Sequence, residues 1–266
     1  MRFGAMNFPV KPVIDEIEEI AGCGLDYLEL TLDPPEAHFS RVRELKKDIL
    51  ETLSARGMGL ICHMPTFVYT ADLTESIREA SLDEMRHSLD IAADLDAEKV
   101  VLHPAYRGGL GVFVADRVRR YADEALAAIL ERAGRLGLRI CLENMFPAYQ
   151  VFFEPKHFNG VLKSYPDLYL TLDTGHANIG DPGGGRVIDF IRRFGHRIGH
   201  VHASDNSGKR DDHLSIGKGT IDFPRVVNAL RKSGYDDTIT LEIFSENRRE
   251  LKQSLERMTS LLGRTP

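Results

Sequence analysis

Leu168-Tyr169-Leu170-Thr171-Leu172-Asp173-Thr174-Gly175-His176 is the stretch on which the reading of the fold turns. Successive residues of a β-strand point to opposite faces. Leu168, Leu170 and Leu172 therefore make one apolar face, suited to packing under helices, while Tyr169, Thr171 and Asp173 share the other. The segment predicts a strand with helices over one side and an ionisable group at its carboxyl end on the opposite side.

The same unit recurs in both directions along the chain. Short runs rich in Val, Ile and Leu predict strands near 2–7, 25–31, 59–63, 98–103, 138–143, 168–173, 197–203 and 238–243. Segments of helical periodicity follow near 12–22, 40–57, 72–95, 113–136, 154–164, 185–194, 222–233 and 245–262. Strand ends lie 24 to 40 residues apart, and eight strand–helix pairs point to a parallel sheet closed by covering helices, a (β/α)8 TIM barrel. Helix punctuation agrees. Gly22 with Gly24, Gly57 with Gly59, Gly134 with Gly137, and Gly234 stand where helices should end. Asp222 before Phe223-Pro224 has the form of an N-cap followed by an early-turn proline. An open doubly wound sheet is the alternative; eight consecutive units and the placement of the polar residues favour closure.

Length and composition set the outer bounds. The 266 residues suffice for one large domain, and with no linker or low-complexity tract, residues 1–266 are read as a single domain. A hydrophobic content of 42% with 28% charged residues is that of a globular, soluble chain. No apolar run approaches the roughly 20 residues of a membrane span, and the opening lacks the apolar core of a signal peptide. Cys23, Cys62 and Cys141 are odd in number and scattered, so they are read as inert thiols in a reducing cytoplasm. A net charge of −6 gives no support to nucleic-acid binding, where a basic face supplies most of the affinity. The short basic runs at Arg117–Arg120 and Arg248-Arg249 are read as solvated helix faces.

Ionisable side chains collect at the strand ends. They are His63, His103, Glu143, Asp173, with His176 three residues on, His202 and Glu242. Side-chain parity turns His63, His103, Glu143, Asp173, His202 and Glu242 inward, on six strands and at one mouth, where barrel enzymes keep their sites. A lone His or Glu at a strand end is more often a satisfied core or loop residue. Six at equivalent positions are hard to explain by packing, because buried carboxylates facing one another must be offset by cations. A mixed set of imidazoles and carboxylates suits Zn²⁺, Mn²⁺ or Co²⁺ better than Ca²⁺ or Mg²⁺ alone.

Several motifs then fall into order: LHP at 102–104, LEN at 142–144, DTGH at 173–176, HASDN at 202–206, DDHLSIGKG at 211–219 and LEI at 241–243. Over roughly residues 60 to 245 the chain resembles the xylose isomerase-like barrel superfamily, which includes sugar isomerases and epimerases as well as endonuclease IV. The ketose epimerase branch implies one metal held by Glu143, Asp173, His202 and Glu242, with the two glutamates also serving as acid and base. The endonuclease IV branch implies three zinc ions on nine ligands: His63, His103, Glu143, Asp173, His176, His202, Asp211, His213 and Glu242. All nine are present. The run His63–Tyr69 and the opening MNFPVKP depart from the nuclease pattern, which places the sugar reading first.

On the sugar reading, one to three divalent ions (Zn or Mn, with Co or Mg open) would bind a substrate's carbonyl and hydroxyl oxygens and stabilise an enediolate. Glu143 and Glu242 would remove and return the proton from opposite faces. His176 would hold a substrate hydroxyl or a second metal. The reaction is an isomerisation or epimerisation of a small sugar or sugar phosphate in carbohydrate metabolism. On the alternative, a metal-bound hydroxide attacks a phosphodiester at an abasic site in DNA, and nucleic acid is a partner only there. A purely binding protein would have no need of two opposed glutamates. Barrels of this kind often pair, which leaves a homo-oligomer open. Lys218, between Gly217 and Gly219, is either a contact for a substrate phosphate or a surface lysine in a tight turn. Glu29 is either an inward carboxylate touching substrate or a solvated strand end, and His200 is read as a core histidine one layer below His202. His38, His87, His157 and His196 lie in helices or loops and are assigned no role.

Overall fold

Eight strands run parallel in chain order, and β1 pairs with β8 to close the barrel. The structure, a computed structural model, describes residues 1–244 and 248–263. The strands are β1 Arg2–Met6, β2 Tyr27–Thr31, β3 Gly59–His63, β4 Val100–Leu102, β5 Ile140–Glu143, β6 Tyr169–Asp173, β7 Ile198–Ala203 and β8 Thr238–Leu241. The helices are α1 Val13–Ala21, α2 Phe39–Arg56, α3 Glu75–Asp94, α4 Ala115–Leu136, α5 Pro155–Ser164, α6 Thr174–Asn178, α7 Gly185–Phe194, α8 Phe223–Lys232 and α9 Arg249–Leu261. The chain therefore folds as one (β/α)8 TIM barrel. Among the described residues no helix is long and apolar enough to cross a membrane.

Strand parity accounts for the layers. Leu28 and Leu30, Leu60 and Cys62, Ile140 and Leu142, and Leu170 and Leu172 face outward and join the helix residues in one apolar shell. The intervening positions face the barrel axis, where Tyr27, Ile61 and Val101 make a small apolar cluster of their own. Much of the rest of that interior is polar: Glu29, Lys99, Thr171, His200, Thr238 and Thr240 are all buried there.

A bulge in β7 brings its histidines into this arrangement. Leu170 of β6 pairs with Ile198, but the next residue, Thr171, pairs with His200, so Gly199 is the extra residue. Ile198 packs outward in the shell, and the inserted residue resets the parity so that His200 and His202 point inward. Only glycine suits the position, because a Cβ there would lie 2.8 Å from Cβ of Tyr169 and 2.9 Å from Sγ of Cys141.

The expected boundaries hold to within a few residues. Asp222 accepts from the backbone N–H of Arg225 at 3.0 Å and caps α8, with Pro224 in its first turn. Gly137 closes α4 in the left-handed conformation. Three departures have local causes. The helix expected over 72–95 begins at Glu75, because the Asp72 side chain captures the Thr74 amide at 2.7 Å in a turn. The helix expected over 113–136 is preceded by a 3-10 turn, Gly109–Val114. The DTGH segment is itself helical, as α6, because Asp173 caps it. Of the last helix expected over 245–262, positions 245–247 lie outside the described residues. Cys62 and Cys141 are buried, and burial pushes the Cys141 thiol up to about 12, so it is a poor nucleophile at neutral pH. Cys23 is only half-buried.

Candidate metal centre

All nine ligand-type residues meet at the carboxyl ends of the strands, linked by nitrogen–oxygen contacts of 3.0 to 3.8 Å. Glu143, the last residue of β5, is the hub. Its Oε2 lies 3.1 Å from Nε2 of His103 and 3.6 Å from Nε2 of His63. Its Oε1 lies 3.2 Å from Nδ1 of His176 and 3.5 Å from Nδ1 of His202. Nδ1 of His202 is also 3.7 Å from Oδ2 of Asp173 and 3.4 Å from Oε2 of Glu242. Glu143, Asp173 and His202 are buried deep in the mouth, and His103, Asp211 and His213 lie nearer its rim. His103 stands one residue beyond β4, and Glu242 one beyond β8.

Neighbouring groups set the direction of each ring. His63 donates from Nδ1 to the Met64 carbonyl at 2.8 Å, which leaves Nε2 toward Glu143. His176 donates from Nδ1 to the Asn144 carbonyl at 2.9 Å, which leaves Nε2 facing Asp211 at 3.2 Å. Nε2 of His202 is engaged by Glu29 at 2.9 Å, which leaves Nδ1 for the cluster. A histidine with one nitrogen committed to such a partner and the other turned to the cluster is the usual state of a metal ligand.

The segment after β7 carries Asp211 and His213 over the mouth. Asp205, fully buried, accepts from the amides of Asn206, Gly217 and Ile221 at 2.9 to 3.1 Å. It also pairs with Leu214 through backbone bonds of 2.9 and 2.8 Å. His213 takes a positive φ of 46°, a conformation that costs a non-glycine residue about 1 kcal/mol or more and that the surrounding bonds must hold. Asn144 ties β5 to β6 by donating to the Asp173 carbonyl at 3.0 Å and accepting from its amide at 2.9 Å. The motifs LEN and HASDN contained Asn144 and Asp205, yet nothing in their spacing marked them as the braces of the site. Glu29 is corrected in another way. It lies mid-strand in β2 and is fully buried against His200 and His202, so it is not a solvated strand end. His200 is a core residue, as expected.

Lys218 stands apart from the nine. It is exposed in a turn whose Gly217 packs against the Arg257 guanidinium of α9, and its amide donates to Ser215 at 3.0 Å. Of the other histidines, His38 pairs with Glu84 at 2.9 Å, His87 stacks on Phe39, and His157 belongs to the capping box of α5. Beside Glu242 a cavity of about 610 Å³ opens, lined by Asn7, Phe8, Lys11, Phe244 and Arg248. Phe146 flanks His176, and Phe244 lies against His213 at a centroid distance of 4.1 Å.

The donor set passes a direct test as a cation site. Both oxygens of Glu143, Oδ2 of Asp173, Oδ1 of Asp211, Oε2 of Glu242 and Nδ1 of His202 and His213 are buried without a hydrogen-bond partner. Such atoms cost about 1–3 kcal/mol each unless something satisfies them. They are of the kinds that ligate divalent transition ions, and Glu143, Asp173 and His202 present ligand atoms within 4.8 Å of one another.

Electrostatics without an ion show the same need. Burial works against ionising Glu143, but His202 and His103 overcome it and hold the carboxyl well below the usual range. Burial likewise opposes charge on Glu242, and His213 and His202 overcome it. For Asp173 burial wins: His176 opposes it, Glu242 and Glu143 add to it, and the carboxyl is pushed up to about 8. Burial disfavours charge on His213, yet Glu242 and Asp211 push it up to about 9. At pH 7 the centre therefore holds protons on Asp173 and His213, and on His176 and His202, which against burial the neighbouring carboxylates hold well above the usual histidine range, and a ligand role would displace them. Zinc binding at pH 7 is expected to release protons. Its affinity should rise with pH until about 8 for Asp173 and about 9 for His213, by about tenfold per pH unit for each proton displaced. Calorimetry in buffers of differing ionisation enthalpy reads the proton count; a pH-independent affinity from 6 to 9 would contradict it.

A closed β/α barrel with histidines and carboxylates gathered at its carboxyl mouth makes a candidate metal centre of a barrel enzyme class. The chain belongs to the xylose isomerase-like TIM barrel family, whose model matches residues 17–261. It is 29% identical to an uncharacterised protein of Methanocaldococcus jannaschii, over 96% of this chain and 87% of that one. It is 23% identical to fructoselysine 3-epimerase of Escherichia coli O157:H7, over 97% and 96%. A probable endonuclease 4 of Mycobacterium leprae is 25% identical over 89% and 92%. Among solved structures, a D-tagatose 3-epimerase-like protein superposes with a TM-score of 0.88 at 28% identity, covering 99% of this chain and 97% of that one.

Proposed function

We propose that this protein is a divalent-metal-dependent isomerase or epimerase of a small sugar or sugar phosphate. The observation that carries the reading is the set of buried, unpartnered atoms on Glu143, Asp173, His202 and Glu242, the three carboxylates gathered around Nδ1 of His202 beside an open cavity. These four residues would hold the ion, with Zn or Mn as the first choices and Co or Mg as further ones. When bound, the ion supplies positive charge that offsets the charge developing on a substrate's carbonyl oxygen. The chain's own part is proton transfer and positioning. Glu143 on β5 and Glu242 after β8 both approach Nδ1 of His202, at 3.5 and 3.4 Å. One glutamate would take the proton from the carbon next to the carbonyl, and the other would return it to the opposite face. His176 would hold a substrate hydroxyl. The kinship to fructoselysine 3-epimerase and to the D-tagatose 3-epimerase-like structure supports this reading, as does the net charge of −6.

A second reading, a zinc phosphodiesterase acting at abasic sites like endonuclease IV, has its own observation. His63 and His103 both face Glu143, and His176 and His213 both face Asp211, as a site for up to three ions would require. Metal analysis of the purified protein, run beside a ketose panel and an abasic-site oligonucleotide, decides between them. One ion per chain with an epimerised or isomerised sugar is the expected result. Three zinc ions with strand cleavage would reverse it.

A further inference from the structure

Below the ligand cluster, the barrel axis carries a second polar assembly to which the scheme above gives no role. Oε1 of Glu29 is 2.9 Å from Nε2 of His202. Its Oε2 is 2.9 Å from Nε2 of His200 and also accepts from the Thr240 hydroxyl, which itself meets the Tyr27 hydroxyl at 2.9 Å. Nδ1 of His200 lies 2.7 Å from Oγ1 of Thr238, which is 3.0 Å from Nζ of Lys99. Lys99 also reaches the Gly199 carbonyl and Asp237, each at 2.8 Å.

One assignment of protons satisfies every member. An ammonium only donates, so Oγ1 of Thr238 accepts from Lys99 and gives its own proton to Nδ1 of His200. Nε2 of His200 is then the donor to Glu29. Tyr27 donates to Thr240, and Thr240 donates to Glu29. Each branch ends on the same carboxylate, which as an ion only accepts. Nε2 of His202 must therefore carry a proton, and Nδ1 is the nitrogen that faces Glu143, Asp173 and Glu242 at 3.4 to 3.7 Å.

We propose that Glu29 is a positioning residue that keeps a proton on Nε2 of His202, fixes the ring, and so reserves Nδ1 for an ion shared with Glu143, Asp173 and Glu242. The inference rests on the metal-site reading above. Glu29, His200 and His202 are themselves close enough to hold an ion, but their facing atoms are already bonded to one another. Neither Glu29 nor His200 contributes an unpartnered buried atom, whereas His202 does so through Nδ1. The hydroxyls and Lys99 act on the ion only through Glu29.

The test compares wild type, Glu29→Gln and Glu29→Leu as full chains stripped of metal, titrated with zinc against a chromogenic chelator. Carboxylates that orient a ligating histidine are worth about 10–100-fold in affinity. The leucine variant should bind zinc about 100-fold more weakly and the glutamine variant about tenfold, with unchanged far-ultraviolet circular dichroism. Nitrogen-15 histidine spectra of the zinc-loaded proteins supply a readout that packing alone would not move. His202 should show a protonated, hydrogen-bonded Nε2 in wild type and glutamine variant, and lose that slowly exchanging proton in the leucine variant. If the leucine variant does not fold, the glutamine variant decides. Affinity within twofold of wild type in the folded variants, or zinc on Nε2 of His202, overturns the proposal. A wild type that binds no zinc or other divalent ion overturns the metal-site reading itself, which is a separate result.

Discussion

If the proposed sugar reaction holds, Glu242→Gln is expected to lower its kcat by about a thousandfold or more, within the 10²–10⁴ that a positioned proton-transfer group contributes, with an added loss from weaker holding of the proposed ion. Glu242 stands just past β8, its amide donating to the Ala203 carbonyl at 3.2 Å, so the backbone holds it at the mouth. His213 and His202 keep its carboxyl below the usual range despite burial, so it stands ionised at neutral pH, as the proposed base must. Glutamine preserves volume and an oxygen acceptor but removes both charge and basicity. Steady-state kinetics paired with metal content check the two parts separately. Turnover restored fully by excess metal would reduce Glu242 to a ligand, and an unimpaired variant would remove it from the mechanism.

Glu143→Ala should produce the largest change of any single substitution, in stability as well as activity. Four imidazoles, on His63, His103, His176 and His202, lie within 3.1 to 3.6 Å of its two oxygens. Removing the hub of a buried charge cluster costs about 3–5 kcal/mol, because the partners remain buried and unpaired. For a chain of this size that corresponds to a fall in Tm of roughly 10 °C. The pH window follows from two opposite shifts. Glu143 has a depressed pKa, so its contribution is present above the ordinary carboxylate pKa and lost as pH falls through the folded value. His176 and His202 have raised values, so theirs is complete below the ordinary histidine pKa and lost as pH rises through the folded values. The gap in Tm between wild type and variant should therefore be widest at roughly pH 5–7 and narrow in alkali. Calorimetry of the metal-free proteins at pH 6 and 9.5 reads this. Equal Tm at pH 6 would contradict the hub role. Catalysis should fall to background, since in the proposed scheme one side chain is both ligand and proton carrier.

These expectations concern residues that were legible to different degrees. Glu143 and Glu242 could be picked out from strand parity alone, because alternation is a rule between neighbours and survives any arrangement of the rest of the chain. Asp211 and His213 stand out in the sequence only through the family resemblance. Their approach to His176 and Glu242 depends on Asp205, whose buried carboxylate gathers amides as far along the chain as Ile221. Asn144 lies inside the LEN motif, but its brace to Asp173 joins the residue just after β5 to the last residue of β6. The β7 histidines show the limit most clearly. Their inward direction was anticipated, yet it comes from a bulge at Gly199 that the run IGHVHA does not announce, since a glycine in a strand has many uses.

From its sequence, then, this protein's eightfold repeat, the outward and inward faces of its strands and the chemical kind of its mouth were already determined, because each follows from contacts between residues a few positions apart. Tertiary structure alone decided that Glu29 sits beneath His202, 173 positions away in the chain, and which nitrogen of each histidine faces the cluster. Those outcomes depend on the register in which eight strands close, and that register is set by packing summed over the whole barrel rather than by any one segment.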